Sequence, residues 1–196
     1  MYWPTFSVHI VLAALICLIS PSLCFPSRQR AQLCNGSPDL CTFRYSAVKS
    51  VFGAHDSPFV GPLPQQNQNV ATSAQLDRGV RMLQAQTHRS PDDPNALKLC
   101  HTDCRLEDAG LLKDWLAEIR TWMEAKGHEN EVVTLLLTNP DGMPIQAFGD
   151  AFQQSGAESL CFTPGPGEAE PLKLDSWPTL GVLIGSGKRL IVFIGS

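Results

Sequence analysis

The run EVVTLLLTN, residues 131–139, constrains the fold more than any other stretch. It is continuously apolar, with none of the alternation of a half-exposed strand, and reads as a buried strand of a parallel sheet. An amphipathic helix precedes it, with Leu111, Leu112, Trp115, Leu116, Ile119, Trp122 and Met123 on one face and Gly127 as its stop. A second helix, IQAFGDAFQQSG, follows, with Ile145, Phe148 and Phe152 inward and Gly156 at its end.

The same alternation extends both ways. AVKSVFGAH reads as a first strand, VATSAQLDRG as a short helix, VRMLQAQTH as a second strand and ALKLCH as a third. The loop RSPDDPN separates the last two, its prolines excluding regular structure. A short helix near 179–185 and a last strand, RLIVFI, complete the series. Strands alternating with helices predict an α/β class with a parallel sheet. A closed barrel of this class needs eight strands and about 250 residues. About five strands are visible, so the reading is a barrel cut short rather than an open sheet.

Three segments are expected: 1–24 as a signal peptide, 25–46 as a disulfide-looped N-terminal segment, and 47–196 as a partial barrel domain. Residues 1–24 contain no Lys, Arg, Asp or Glu, and their apolar run, 10–19, is too short to span a bilayer. Ser22 and Cys24 are small residues suited to cleavage before Phe25. Secretion is therefore expected, with a retained membrane anchor as the rival reading of this segment, or cell-surface display if a C-terminal anchor follows. The net charge of −4 supplies no basic field for nucleic acid, which is excluded as a partner.

Cysteine usage agrees with an oxidising compartment. Of seven cysteines, Cys17 and Cys24 belong to the leader. Cys34 and Cys41 bracket a Gly/Ser/Pro turn and suit a small disulfide loop; Cys100 and Cys104 bracket HTD and suit another. Cys161 is left over, its partner expected beyond residue 196. Asn35-Gly36-Ser37 is a glycosylation sequon inside the first loop.

Strand alternation puts Gly53 and His55 on one face of the first strand and Leu97, Leu99 and His101 on one face of the third. As alternate strands of a parallel barrel, these would aim His55 and His101 at each other across the second, both at C-terminal strand ends. Met82, Gln84, Gln86 and His88 would floor the site. One neutral and one protonated imidazole suit phosphodiester cleavage, since the histidine pKa near ~6.5 allows both roles. Asp56 would orient a neighbouring imidazole, His88 would assist substrate binding or stand exposed in a loop, and Asn139 would donate to substrate from the end of the fourth strand. Isolated histidines at strand ends are also often no more than hydrogen-bonded structural residues. His128, beside Gly127, reads as solvated or capping. Cys100, His101 and Cys104 suit a disulfide better than a metal in a secreted chain. GSGK at 185–188 lacks the spacing of a phosphate loop, and Ser57 lacks a nucleophile-elbow setting.

FGAHDS, AQLDRGVRMLQAQTH, LCHTDC, EVVTLLLTN and DSWPTLGVLIGSGKRLIVF, in that order, together with CNGSPDLC, resemble the secreted fungal PLC-like phosphodiesterases. These are related to the X-domain of phosphatidylinositol-specific phospholipase C. The resemblance implies a distorted TIM-type (β/α) barrel, with His55 as general base on an inositol hydroxyl and His101 as general acid to the lipid leaving group. It implies a cyclic inositol phosphate and diacylglycerol as products. Bacterial relatives carry an Asp and an Arg, two apart, on the second strand, where this chain has Gln84 and Gln86. Calcium-dependent relatives hold their metal with carboxylates near there. Neutral amides are poor sole ligands for a divalent cation and cannot neutralise a phosphorane. Asn139 likewise stands near a position that is charged in relatives.

The expectation is a monomeric phosphoric diester hydrolase without metal or cofactor. Its partner would be a phosphodiester small molecule or lipid headgroup at a membrane or cell-wall surface. The alternative is a non-catalytic secreted barrel that binds a phosphate- or sugar-bearing ligand.

Overall fold

The computed structural model describes residues 32–48, 53–64, 66–165 and 172–195, within the compact unit Gln32–Ser196. The expected signal peptide, 1–24, lies outside the described residues. So do residues 49–52, in the expected first strand, of which β1 (Gly53–Ala54) is the described part. The chain then forms α1 (Thr72–Asp77), β2 (Met82–Arg89), β3 (Leu97–Cys100) and β4 (Asp108–Leu111). After these come α2 (Leu112–Glu124), β5 (Val133–Thr138), α3 (Ile145–Ser155), α4 (Leu180–Gly185) and β6 (Leu190–Gly195).

The strands form one mixed sheet in the order β4-β3-β2-β5-β6, with β1 also paired to β2. β1, β2, β5 and β6 run parallel, as the alternation predicts. β3 does not: it pairs antiparallel to β2, and β4 antiparallel to β3. The reason is chain length. Only seven residues join β2 to β3, whereas a parallel crossover needs a dozen or more. Among the described residues the sheet is open, bounded by β4 and β6, and does not form the expected barrel.

One sheet face carries the main core. Leu83, Ala85, Val133, Leu135, Leu137 and Leu190 pack there against Leu112, Leu116, Ile119 and Met123 of α2 and Phe148 and Phe152 of α3. Most of these are wholly buried, each contributing roughly 1.5–3 kcal/mol of transfer free energy. Ile145, expected on the inward face of α3, is instead 69% exposed. It is the first helical residue after Pro144, before the helix reaches the sheet.

The opposite face bears Met82, Gln84 and Gln86 of β2, in register with Thr134, Leu136 and Thr138 of β5. Beyond these, on β6, the register continues to Ile191, Phe193 and Gly195. The N-terminal loop and α4 cover its β6 end through Cys34, Val132, Leu180, Leu183 and Ile191. Tyr45 Oη lies 2.8 Å from Thr134 Oγ1. Among the described helices, none is long and apolar enough to cross a membrane.

Candidate active site

The antiparallel turn of β3 places the two histidines by a different route from the one expected. β5 occupies one edge of β2, so β1 and β3 must share the other. β1 pairs with the first residues of β2, Met82 and Leu83, and β3 with its last, Thr87 to Arg89. The two strands therefore run towards each other along one edge and end over the middle of β2. His55 follows one end and His101 the other, and Gln84 and Gln86 lie between them.

Asp56 joins the two. Its side chain is fully buried, and Oδ2 lies 3.0 Å from His55 Nε2 and 3.2 Å from His101 Nε2. Asn67 Nδ2 donates to the same oxygen at 2.9 Å, and Gln86 Nε2 donates to both carboxylate oxygens at 3.1 and 3.2 Å. A buried carboxylate is tolerated only when paired in this way. Asp56 reaches the position through a left-handed backbone, φ 49°, which short polar side chains tolerate best. Its turn is pinned by Ser57 N–H donating to Gln84 O at 2.8 Å and Asp56 N–H to Gln84 Oε1 at 2.7 Å.

His101 is held by a second strained turn. Asp103 N–H donates back to His101 O at 2.7 Å, with Thr102 between them at φ 66°. That is the rare γ-turn, and for a β-branched residue it is an outlier. The Cys100–Cys104 disulfide encloses it. Thr102 N–H donates to Gln86 Oε1 at 3.1 Å, and buried Phe59 meets the His101 ring edge-on at 5.7 Å.

Gln84 and Gln86 thus act as struts. Gln86 donates to Asp56 and accepts from Thr102, a pairing that Arg, which has no acceptor, could not make. Both amide oxygens already accept backbone N–H groups, and Asp56 is surrounded by donors. The arrangement does not fit a hard divalent cation, which needs several free oxygens.

The other expected residues lie around this centre. His88 is not a loop residue: it stands within β2, 13% exposed, with Nδ1 3.2 Å from Asp141 Oδ1. Its Nε2 is buried with no hydrogen-bond partner among the described residues. Asn139, expected to donate to substrate, commits both ends of its amide to the Met143 backbone, at 2.9 and 2.8 Å, closing the loop before α3. Arg105 is exposed, but its guanidinium binds Asp103 at 2.6 Å and holds that carboxyl down at about 2. Its charge is therefore matched within its own loop.

The Cys34–Cys41 disulfide is also present. Asn35, the sequon residue, pairs through both ends of its amide with the Val132 backbone, at 3.2 and 2.7 Å. Cys161 is the free cysteine among the described residues, and burial pushes its thiol up to about 11. His128 caps the end of α2, with Nδ1 2.8 Å from Trp122 O.

Asn67 and Thr102 escaped the sequence reading. Asn67 lies in a polar loop with no periodicity, and only the return of that loop across the site brings it to Asp56. The available signal for Thr102 was its place inside the four-residue cysteine spacing that also holds His101.

The family model PI-PLC X 1 matches residues 40–196. A PI-PLC X domain-containing protein 1 from Arthroderma benhamiae is 49% identical over 165 residues, covering 84% of this chain and 51% of that relative. An uncharacterized secreted protein from the same organism is 36% identical over 170 residues, covering 86% of this chain and 36% of that relative. The chain spans about half the length of the first and about a third of the second. A family match over most of the chain, with the imidazole pair inside it, places the protein in the PI-PLC X domain family.

Proposed function

We propose that the protein is a phosphoric diester hydrolase in which His55 and His101 act as a general acid–base pair. The observation that carries this reading is the single buried carboxylate within 3.2 Å of both imidazoles. Nε2 of each imidazole lies at ion-pair distance from Asp56 Oδ2, and on this reading Nε2–H of each is assigned to the carboxylate and Nδ1 to substrate. His55 Nδ1 has no partner among the described residues. His101 Nδ1 has Thr102 Oγ1 at 3.4 Å, a long contact that a leaving oxygen can replace.

Neutral His55 takes the proton of a substrate hydroxyl adjacent to the phosphate, and that oxygen attacks phosphorus. The bond from phosphorus to the leaving oxygen breaks as His101 passes its Nδ1 proton to that oxygen. A cyclic phosphodiester and an alcohol result. One imidazolium stands beside Asp56 before and after the step, so the buried carboxylate stays balanced throughout. Water then opens the ring with the roles reversed, restoring the starting protonation.

The proposed substrates are a phosphatidylinositol, a glycosyl-phosphatidylinositol or another exposed phosphodiester. The proposed setting is extracellular, supported by two disulfides and by the name of the second relative.

A second reading, ligand binding without turnover, is favoured by one feature: Gln84 and Gln86 are occupied, and Arg105 is paired within its own loop. The test is incubation with phosphatidylinositol vesicles in excess chelator, followed by phosphorus NMR. The acid–base reading expects a cyclic phosphate to form first and then open. Vesicle binding with no product would favour the second reading instead.

A further inference from the structure

We propose that Asn67 is a positioning residue that holds Asp56 between the two imidazoles as their charges exchange. This rests on the acid–base reading of the site and adds a residue to it.

Four side chains close on Asp56: His55 and His101 at ion-pair distance, and Gln86 and Asn67 through hydrogen bonds. All four reach Oδ2, an oxygen with only two lone pairs, so no arrangement satisfies every one fully. Two of the four are imidazoles whose charge changes during turnover. The two amides never titrate. They are the fixed points that keep the carboxylate oriented while the imidazolium passes from one side to the other. Gln86 holds Asp56 from the strand below, and Asn67 holds it from a separate loop.

That loop is built for the purpose. Gln68 N–H donates to Phe59 O and Gly61 N–H to Gln68 O, both at 3.0 Å, which brings Gln68 back beside Phe59 and Gly61. Gln68 Nε2 binds His55 O at 2.6 Å on one side of Asn67. Gln66 Nε2 binds Glu107 Oε1 at 3.0 Å on the other, in the loop that carries His101. Asn67 is therefore centred between anchors to both histidine-bearing segments.

The experiment compares Asn67→Asp and Asn67→Ala with the intact protein by histidine-selective nitrogen NMR titration and by turnover of phosphatidylinositol vesicles. Asn67→Asp places a second carboxyl against Asp56. The two cannot both ionise freely, and the added negative charge raises the titration of both His55 and His101. Asn67→Ala removes one charge-assisted hydrogen bond and is expected to lower kcat by roughly 10- to 100-fold with KM unchanged. In Asn67→Ala, which adds no charge, a positioning asparagine also changes the titration of both imidazoles, whereas a merely structural one shifts thermal stability and leaves both titrations unchanged. Wild-type kcat with unchanged imidazole titrations in Asn67→Ala overturns the proposal while leaving the acid–base reading intact. Full activity of His55→Ala and His101→Ala would instead remove that reading, and the proposal with it.

Discussion

His55→Ala and His101→Ala are each expected to reduce kcat on a phosphatidylinositol vesicle by about 10²- to 10⁴-fold, the range for losing one positioned acid or base. The double variant should be little worse than the poorer single one. Once either proton transfer is lost, the other has no concerted partner, and effects within such a unit do not add. His55 is 71% exposed, so its removal should leave folding intact and separate chemistry from stability. Steady-state kinetics of the three variants, with thermal unfolding alongside, reads out the pair. Two independent losses that multiply would show that the histidines do not act in one step.

Removing the Cys100–Cys104 bridge, as Cys100→Ala with Cys104→Ala, is expected to harm turnover more than stability. So short a loop contributes only about 2 kcal/mol through chain entropy. The γ-turn at Thr102 stores strain on the order of 1–3 kcal/mol, held in by the bridge on one side and Gln86 on the other. Once the bridge is gone the turn relaxes, and His101 moves away from Asp56. A fall in kcat of about 10-fold or more is expected, following ~7–11 kcal/mol of barrier reduction available from correct positioning. Thr102→Gly, with the disulfide intact, adopts φ 66° without strain and should retain activity. Wild-type kcat in the bridge-free protein would show that the disulfide does not hold His101.

Much of this site was legible in the chain because it rests on local patterns. The apolar run at β5 announced a buried strand, and the order of residues placed His55-Asp56 directly after β1, where the structure has them. The cysteine spacings announced both bridges. What escaped was set by tertiary structure. Helix and strand share the apolar residues around Leu111, so β4 was absorbed into the start of α2. The direction of β3 was obscured by treating every strand as parallel, although the seven residues before it already required a hairpin. Gln84 and Gln86 looked like losses when compared with charged relatives. Their roles became readable only once Asp56 and Thr102 were seen to meet their two amides. Asn67 had no sequence signal, because its contact depends on a loop folding back from the far side of the site.

Asp56→Asn tests the central claim most directly. Asparagine has the same shape and tolerates the left-handed backbone at this position, so the turn should survive. It cannot balance an imidazolium, and its NH₂ group would face donors where an acceptor is needed. Measured turnover of phosphatidylinositol vesicles by Asp56→Asn should fall by about 10²-fold or more. The unfolding temperature should also be lowered, because Asn67 and Gln86 lose their shared acceptor, so activity is compared well below that temperature. Wild-type turnover in Asp56→Asn would contradict the account: His55 and His101 would then not depend on the carboxylate between them.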